Sequence, residues 1–388
     1  MVNPINAVAS RLRNRSRSPW IEVGMVVAIA LLTILLLPLL LSDFRLKLVG
    51  RFLSLAILAL GIDLIWGYTG LLSLGHGIFF ALGGYALAMH LNLQLPDGQI
   101  PEFFSLYGVQ DLPWFWQPFY SMPFTFVAIW VIPMVTAGLL GYLVFRNRIR
   151  GVYFSILTQA MLVVFFNFFN GQQKLINGTN GLKTDTATVM GVLMGSDGAQ
   201  MALFILTVVI LALAYGLCRW LTGGRFGRLL IAIRDDESRT RFLGYNPTSF
   251  KTFVFAVSGA LAGIAGALYT VQSGIVSPQY MEIAFSIEMV IWVAVGGRGT
   301  LIGAIIGALM VNLARSFLSE QFPEVWLFFQ GILFLGVVTV LPQGIVGWLR
   351  SEAGSQMRSL LGRPQRVSTY SSLETDPEVQ YEHENLSH

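Results

Sequence analysis

The chain has 388 residues, of which 54% are hydrophobic and 12% are charged, with a formal net charge of +4. Soluble domains carry about 25% charged residues, so this composition predicts a membrane protein. The basic residues lie between apolar runs and form no nucleic-acid-binding face. Cys218 is the only cysteine, which excludes an internal disulfide and a cysteine metal site, and the four histidines show no metal-ligand spacing.

Apolar runs of roughly 20 residues predict an all-α polytopic membrane protein with about ten transmembrane helices. Segment 1–20 is basic, so the N-terminus is predicted to be cytoplasmic, and no small-x-small cleavage site follows the first run. The positive-inside rule likewise predicts a cytoplasmic C-terminus. The predicted runs are 21–42, 49–67, 74–93, 122–145, 152–169, 200–220, 251–272, 281–296, 300–318 and 325–348.

This topology predicts one transmembrane domain, 21–349, followed by a disordered cytoplasmic tail, 350–388. Segments 94–121 and 170–199 are then external loops, and 221–250 is a cytoplasmic loop. Loop 94–121 is rich in aromatic residues, which favours an interfacial belt over a docking surface for an external partner. Loop 170–199 contains Asn177, Thr179 and Asn180, just beyond the outer end of the fifth run.

Polar residues within the apolar runs are candidates for a substrate pathway. Ser73 and His76 lie in GYTGLLSLGHG, a glycine-broken segment, and such breaks border a cavity or pack against protein. Thr158, Gln159 and Asn167 lie in the fifth run. Asp63 and Glu288 are ionisable residues in other runs, so each is a functional candidate. The alternative is that both carboxylates cap broken backbone or bond a neighbouring helix.

The cytoplasmic loop contains IAIRDDESRTRFLGYNPTSFK, residues 231–251. The spacings Asp235–Arg239 and Glu237–Arg241 predict two i,i+4 pairs on one short helix, which Gly244 ends. Phe242 and Leu243 leave apolar side chains at the end of that helix. Two interpretations stay open, a solvated loop or a helix that docks in the groove of a soluble partner.

Several motifs are absent. The sequence contains no P-loop and no G-x-S-x-G, and GGRGTLIG at 296–303 lacks dinucleotide-binding spacing. Gly299, Gly303 and Gly307, like Gly259 and Gly263, instead predict close helix packing. Ser73 and His76 have no clear acid partner, which argues against a membrane hydrolase.

The order of several segments resembles the membrane subunits of ATP-binding cassette importers for branched-chain amino acids and urea. These segments are GYTGLLSLGHGIFFALGGYALA, RGVYFSILTQA, NGTNGL, AIRDDESRTRFLGY and EMVIWVAVGGRGTLIGAIIGALMVN. The resemblance covers roughly 48–349. GIDLIWGYTG, Thr158-Gln159-Ala160, NGTNGL and FPEVWLFFQGILF look more like the urea branch.

The resemblance implies a non-enzymatic permease subunit with glycine-broken helices around a central pathway. It implies a heterodimer with a homologous permease, two ATPase subunits that use ATP and Mg²⁺, and an external substrate-binding protein. No cofactor is expected on this chain itself. The ATPase-coupling residues it implies are Arg234, Asp235, Asp236, Glu237, Arg239, Phe242, Leu243 and Gly244.

The resemblance to the urea branch implies urea as the cargo, and Ser73, Thr158, Gln159 and Asn167 fit it because they offer hydroxyl and amide groups. A leucine pathway would need partners for both an ammonium and a carboxylate, and the predicted helices contain no obvious buried cation. Three alternatives stay open: a permease for branched-chain or other amino acids, a stand-alone channel or secondary transporter, and a membrane enzyme.

Overall fold

The computed structural model describes residues 19–349 apart from 96–98, 150, 190–191, 323–324, 326–327, 329–330, 333–334, 337–338 and 340–343. The predicted tail 350–388 lies outside the described residues, as does segment 1–20 except for its last two residues. The chain divides into two compact units, Met1–Gly347 and Trp348–His388. The architecture described here is that of the first unit.

The described part of the chain is mostly helical, as the apolar runs predict. The helices are α1 (Pro19–Leu40), α2 (Asp43–Thr69), α3 (His76–Asn92), α4 (Glu102–Leu106), α5 (Met122–Arg146), α6 (Val152–Gly171), α7 (Gln173–Ile176), α8 (Asp197–Gly223), α9 (Arg225–Asp235), α10 (Glu237–Phe242), α11 (Pro247–Ser273), α12 (Ile283–Gly296) and α13 (Leu301–Gln321).

Within the described residues, seven helices are long and apolar enough to cross a membrane: α1, α2, α5, α6, α8, α11 and α13. Each of the first nine predicted runs contains a helix. Two of these helices, α3 and α12, are shorter because each has a glycine-containing turn at one end. The tenth run, 325–348, lies largely outside the described residues. The count of ten and the sides of the two termini stay predictions.

Helix α11 lies at the centre of the bundle, against α2, α3 and α5. Glycines make these contacts possible because they let backbones approach closely. A Cβ at Gly266 would lie 1.8 Å from the carbonyl oxygen of Phe80 in α3, and one at Gly263 would lie 2.4 Å from that of Ile129 in α5. The predicted close packing at Gly259 and Gly263 is therefore confirmed.

The hairpin of α12 and α13 uses the same device. A Cβ at Gly307 would lie 2.0 Å from the carbonyl oxygen of Trp292, and one at Gly296 would lie 1.9 Å from that of Gly303. Gly303 and Gly307 therefore pack α12 against α13, as predicted, whereas Gly299, with φ +75°, lies in the turn that connects the two helices and forms no helix-packing step.

Burial separates central helices from peripheral ones. Most side chains of α2 and α11 are buried, whereas α1 exposes apolar side chains along its described length. Helix α6 buries only Phe154, Thr158 and Leu162, a single stripe with a spacing of four residues. An exposed apolar surface of this kind suits lipid or another membrane subunit.

Short strands order the segment between α7 and α8. Strand β1 (Leu182–Lys183) pairs antiparallel with β4 (Ile275–Val276), just after α11, and β2 (Thr188–Val189) pairs with β3 (Val192–Leu193). The predicted external loop 170–199 is thereby joined to the end of the central helix.

We expect Gly266→Ala to lower the free energy of unfolding by about 1–3 kcal/mol, because its methyl group must push α3 away from α11. Chemical unfolding in mild detergent measures the change. Gly216→Ala is the matched control, since a Cβ there meets nothing within 4 Å and alanine is the better helix former. Equal stability of the two variants would contradict the packing argument.

Candidate functional site

The predicted cytoplasmic loop forms two helices with a break at Asp236. Its backbone is extended, with φ −154° and ψ 99°, and its Oδ1 accepts a hydrogen bond from the Arg239 N–H at 2.9 Å as the N-cap of α10. The predicted Asp235–Arg239 pair is wrong, because the break puts the two residues on different helices. Asp235 instead contacts Arg234 at 3.1 Å, and Arg239 contacts Asp236 at 3.7 Å. The predicted Glu237–Arg241 pair is confirmed at 3.0 Å.

Glu237 joins α10 to the membrane domain. Its side chain is 8% exposed and forms an ion pair with Lys251, which is 5% exposed and lies in the first turns of α11. The Lys251 ammonium also lies 5.8 Å from the centre of the Phe145 ring in α5. Sequence reasoning missed this contact because Lys251 begins an apolar run and looks like a boundary residue. The pair connects α10 to the central helix.

The end of α10 has the opposite character. The Phe242 side chain is 92% exposed and that of Leu243 is 73% exposed. Gly244 follows with φ +89°, a conformation that favours glycine and ends the helix. Two neighbouring apolar side chains in open solvent favour the docking interpretation, because burial against a partner would remove that surface from water.

Arg234 does not project freely from the loop. Its Nη1 donates a hydrogen bond of 2.9 Å to the carbonyl oxygen of Gly67, in the last turn of α2. Helix α2 ends at Gly70, whose φ is +74°. Arg234 on α2 and Glu237 on α11 are thus two of the residues through which the loop contacts the membrane domain.

The connection from α2 to α3, residues 70–75, is a turn in which Leu71, Ser73 and Gly75 are buried and Gly70 is exposed, and we refer to it as the buried turn. Its backbone is held by α6: the Thr158 Oγ1 accepts the Leu74 N–H at 3.0 Å, and the Ser155 Oγ donates to the Leu72 carbonyl at 2.7 Å. The Ser73 hydroxyl accepts the Gly75 N–H at 3.3 Å. Ser73 and Thr158, both predicted for the pathway, thus satisfy freed backbone groups.

Asp63 binds the backbone of the turn that connects α12 and α13. Its Oδ1 accepts the Gly299 N–H at 2.6 Å, and its Oδ2 has no hydrogen-bond partner among the described residues. Glu288 forms an ion pair with Arg315 on α13. Asp63 thus binds backbone and Glu288 binds a neighbouring helix, which are the contacts that the alternative to a functional role predicted. The expectation that no buried cation lies in the helices is wrong, since Lys251 is one and Arg315 contacts Glu288.

His76 and Ser73 form no catalytic pair. The His76 Nε2 lies 2.6 Å from the Ser258 Oγ, which donates to the Gly61 carbonyl oxygen, also at 2.6 Å. The Ser258 proton is then engaged, so His76 donates from Nε2. The imidazole therefore ties α3 to α11 and, through Ser258, to α2.

The other predicted residues lie elsewhere. Gln159 is half-buried on α6, whereas Asn167 is exposed and bonds back to the Val163 carbonyl oxygen of its own helix. Asn177, with φ +56°, donates to the Gly181 carbonyl oxygen, and Asn180 contacts Asn177. Thr179 accepts a hydrogen bond from Gln173. The pathway residues therefore do not converge on one polar site, and their role stays a prediction.

A pocket does lie beside the buried turn, between α3, α5, α6 and α11. Apart from the Thr158 side chain, its lining is glycine, aliphatic, aromatic or methionine. The lining residues are Gly75, Ile78, Phe79, Leu140, Val144, Phe154, Thr158, Met161 and Phe255. The pocket has a volume of about 10 Å³, the space of one water molecule, so an amino-acid side chain does not fit into it.

The comparisons with known proteins agree with this architecture. The protein family described as "Branched-chain amino acid transport system / permease component" matches residues 44–338. This chain belongs to that permease family. The match begins at α2 and covers the buried turn, the predicted cytoplasmic loop and the α12–α13 hairpin. No solved structure matches the permease.

Curated relatives support the same assignment. The permease is 27% identical to the high-affinity branched-chain amino acid transport system permease protein LivM of Salmonella typhimurium, over 76% of this chain and 68% of that one. It is 22% identical to BraD of Pseudomonas aeruginosa, over 75% and 91%, and 25% identical to a probable LivH of Methanocaldococcus jannaschii, over 76% and 88%. With its apolar helices, these relatives make the permease a multi-pass protein of the bacterial inner membrane.

We expect Glu237→Gln to lower the free energy of unfolding of the permease by about 3 kcal/mol, because Lys251 then loses its buried carboxylate. The double variant Glu237→Gln/Lys251→Met should recover most of the loss. Asp235→Asn is the matched control, since its exposed pair is worth at most about 1 kcal/mol. Chemical unfolding in detergent measures all three, and equal effects at residues 235 and 237 would contradict the buried-pair argument.

Proposed function

We propose that this permease is the membrane-spanning subunit of an ATP-driven importer and that it translocates a branched-chain amino acid. The observation that carries the proposal is the cytoplasmic loop. It exposes Phe242 and Leu243 at one end while Arg234 and Glu237 join it to α2 and α11. A loop built in this way can receive force from a soluble partner and deliver it to the membrane helices.

The relatives support the amino-acid cargo, which was the alternative to urea. Their printed names assign them to branched-chain amino acid transport. The urea prediction came from the resemblance to the urea branch and expected free hydroxyl and amide groups in one pathway. Ser73 and Thr158 bind backbone, and Asn167 lies on the exposed side of α6. The amino-acid cargo is therefore the better-supported proposal.

The proposal includes partners. The absence of a P-loop from the sequence fits two separate ATPase subunits that bind ATP and Mg²⁺ and contact Phe242 and Leu243. An external binding protein would deliver the substrate on the other side of the membrane. The exposed apolar face of α6 suits a second, homologous permease, because each chain would then contribute one wall of the pathway.

Uptake measurements test the proposal. Deleting the gene should abolish ATP-dependent uptake of labelled leucine at trace concentration and leave urea uptake unchanged. Complementation with the intact gene is the control, and ATP depletion of complemented cells should mimic the deletion. If the deletion abolishes only urea uptake, the substrate is urea and the amino-acid proposal is wrong. Uptake that survives ATP depletion would indicate a stand-alone channel and contradict the proposal.

A further inference from the structure

We infer that Arg234 is a positioning residue that transmits movement of the cytoplasmic loop to the buried turn 70–75. This inference rests on the proposed function and deepens it. Arg234 would act inside the permease, as a hydrogen-bond donor to the end of α2, and would make no essential contact with the ATPase. Phe242 and Leu243 would form the docking surface, and Arg234 the link from that surface to the membrane helices.

The first observation is where the Arg234 side chain lies. It leaves the last turn of α9 and donates from Nη1 to the Gly67 carbonyl oxygen at 2.9 Å. Its Cγ would lie 2.8 Å from a Cβ at Gly70, the residue that ends α2. Carbonyl groups at a helix C-terminus lack intrahelical partners and attract a positive charge. The guanidinium therefore covers the end of α2.

The second observation is that the turn connecting α12 and α13 also lies against Gly67. A Cβ there would lie 2.6 Å from the Gly299 nitrogen, and the same nitrogen donates to Asp63 one turn earlier in α2. The last turn of α2 is thus held between Arg234 and the turn that connects α12 and α13. Any displacement of Arg234 acts on a segment that is in contact with both turns.

The third observation is the second hydrogen bond of the same guanidinium. Its Nε donates to the Asp235 Oδ1 at 3.1 Å, directly before the break at Asp236. Arg234 therefore joins the start of the loop's helix break to the end of α2. A lysine has one ammonium group and cannot reproduce the planar geometry of two separate N–H donors. Arginine is the side chain this bridge requires.

The chain also offers a clean reporter of movement in the buried turn. Cys218 is the only cysteine and is buried, so Cys218→Ala gives a cysteine-free permease. Leu74→Cys then places one thiol in the turn at a half-buried position. The substitution keeps the backbone N–H that binds Thr158. Its rate of reaction with a maleimide reports the exposure of the turn.

The test compares maleimide labelling of the reporter permease, purified with its ATPase subunits, without nucleotide and with ATP and vanadate. In the reporter permease that retains Arg234, we expect the labelling rate to change when ATP and vanadate are added. In Arg234→Gln and Arg234→Lys, we expect the labelling rate to stay constant. ATP hydrolysis should continue in both variants, while leucine transported per ATP falls about tenfold, the effect of losing one charge-assisted hydrogen bond. Arg228→Gln is the matched control, an exposed arginine on the same helix.

The outcomes separate the inference from the proposed function. A nucleotide-dependent rate change that persists in Arg234→Gln would overturn the inference and leave ATP-driven transport intact. An unchanged rate in the Arg234 permease, with ATP-driven uptake present, would also overturn it. Loss of ATPase binding in Arg234→Gln would make Arg234 a docking residue and overturn it too. Absence of ATP-driven uptake in the unmodified permease would reject the proposed function itself.

Discussion

Backbone groups that a helix break releases inside a membrane protein must find partners in the protein, and this requirement organises the site. Lipid offers no hydrogen bonds, so each freed N–H or carbonyl left unpaired costs several kcal/mol. The permease meets the requirement with side chains from distant parts of the chain. Thr158 and Ser155 form hydrogen bonds with the backbone of the turn at 70–75. Asp63 accepts one from the Gly299 N–H, and Arg234 donates one to the Gly67 carbonyl oxygen.

This requirement changes the meaning of several polar residues. Hydroxyl and amide groups suggested a polar pathway for urea, and the carboxylates of Asp63 and Glu288 were further pathway candidates. Three of them, Ser73, Thr158 and Asp63, instead bind backbone at the breaks, and Glu288 binds Arg315 on the next helix. These contacts give the urea prediction no support, and the amino-acid cargo rests on the relatives.

Periodicity and local spacing predicted the features that depend on near neighbours. Apolar runs located the helices, glycine spacing located close packing around α11, and the i,i+4 rule located the Glu237–Arg241 pair. Contacts between distant residues could not be found in this way. Lys251, Arg315 and the Gly299 N–H are partners only because the bundle brings them to Glu237, Glu288 and Asp63. The wrong prediction of an Asp235–Arg239 pair has a local cause. Asp236 is the N-cap of α10, so the predicted single helix is two helices.

The central claim is that a soluble ATPase drives the permease through the exposed end of α10. The most direct measurement is leucine uptake and ATPase co-purification for Phe242→Ala, with Trp220→Ala as a control that removes another exposed aromatic side chain. Truncation of a central interface aromatic weakens binding at least about tenfold. The account predicts that Phe242→Ala loses both the ATPase and uptake while Trp220→Ala keeps both. Undiminished ATPase binding and uptake in Phe242→Ala/Leu243→Ala would contradict it.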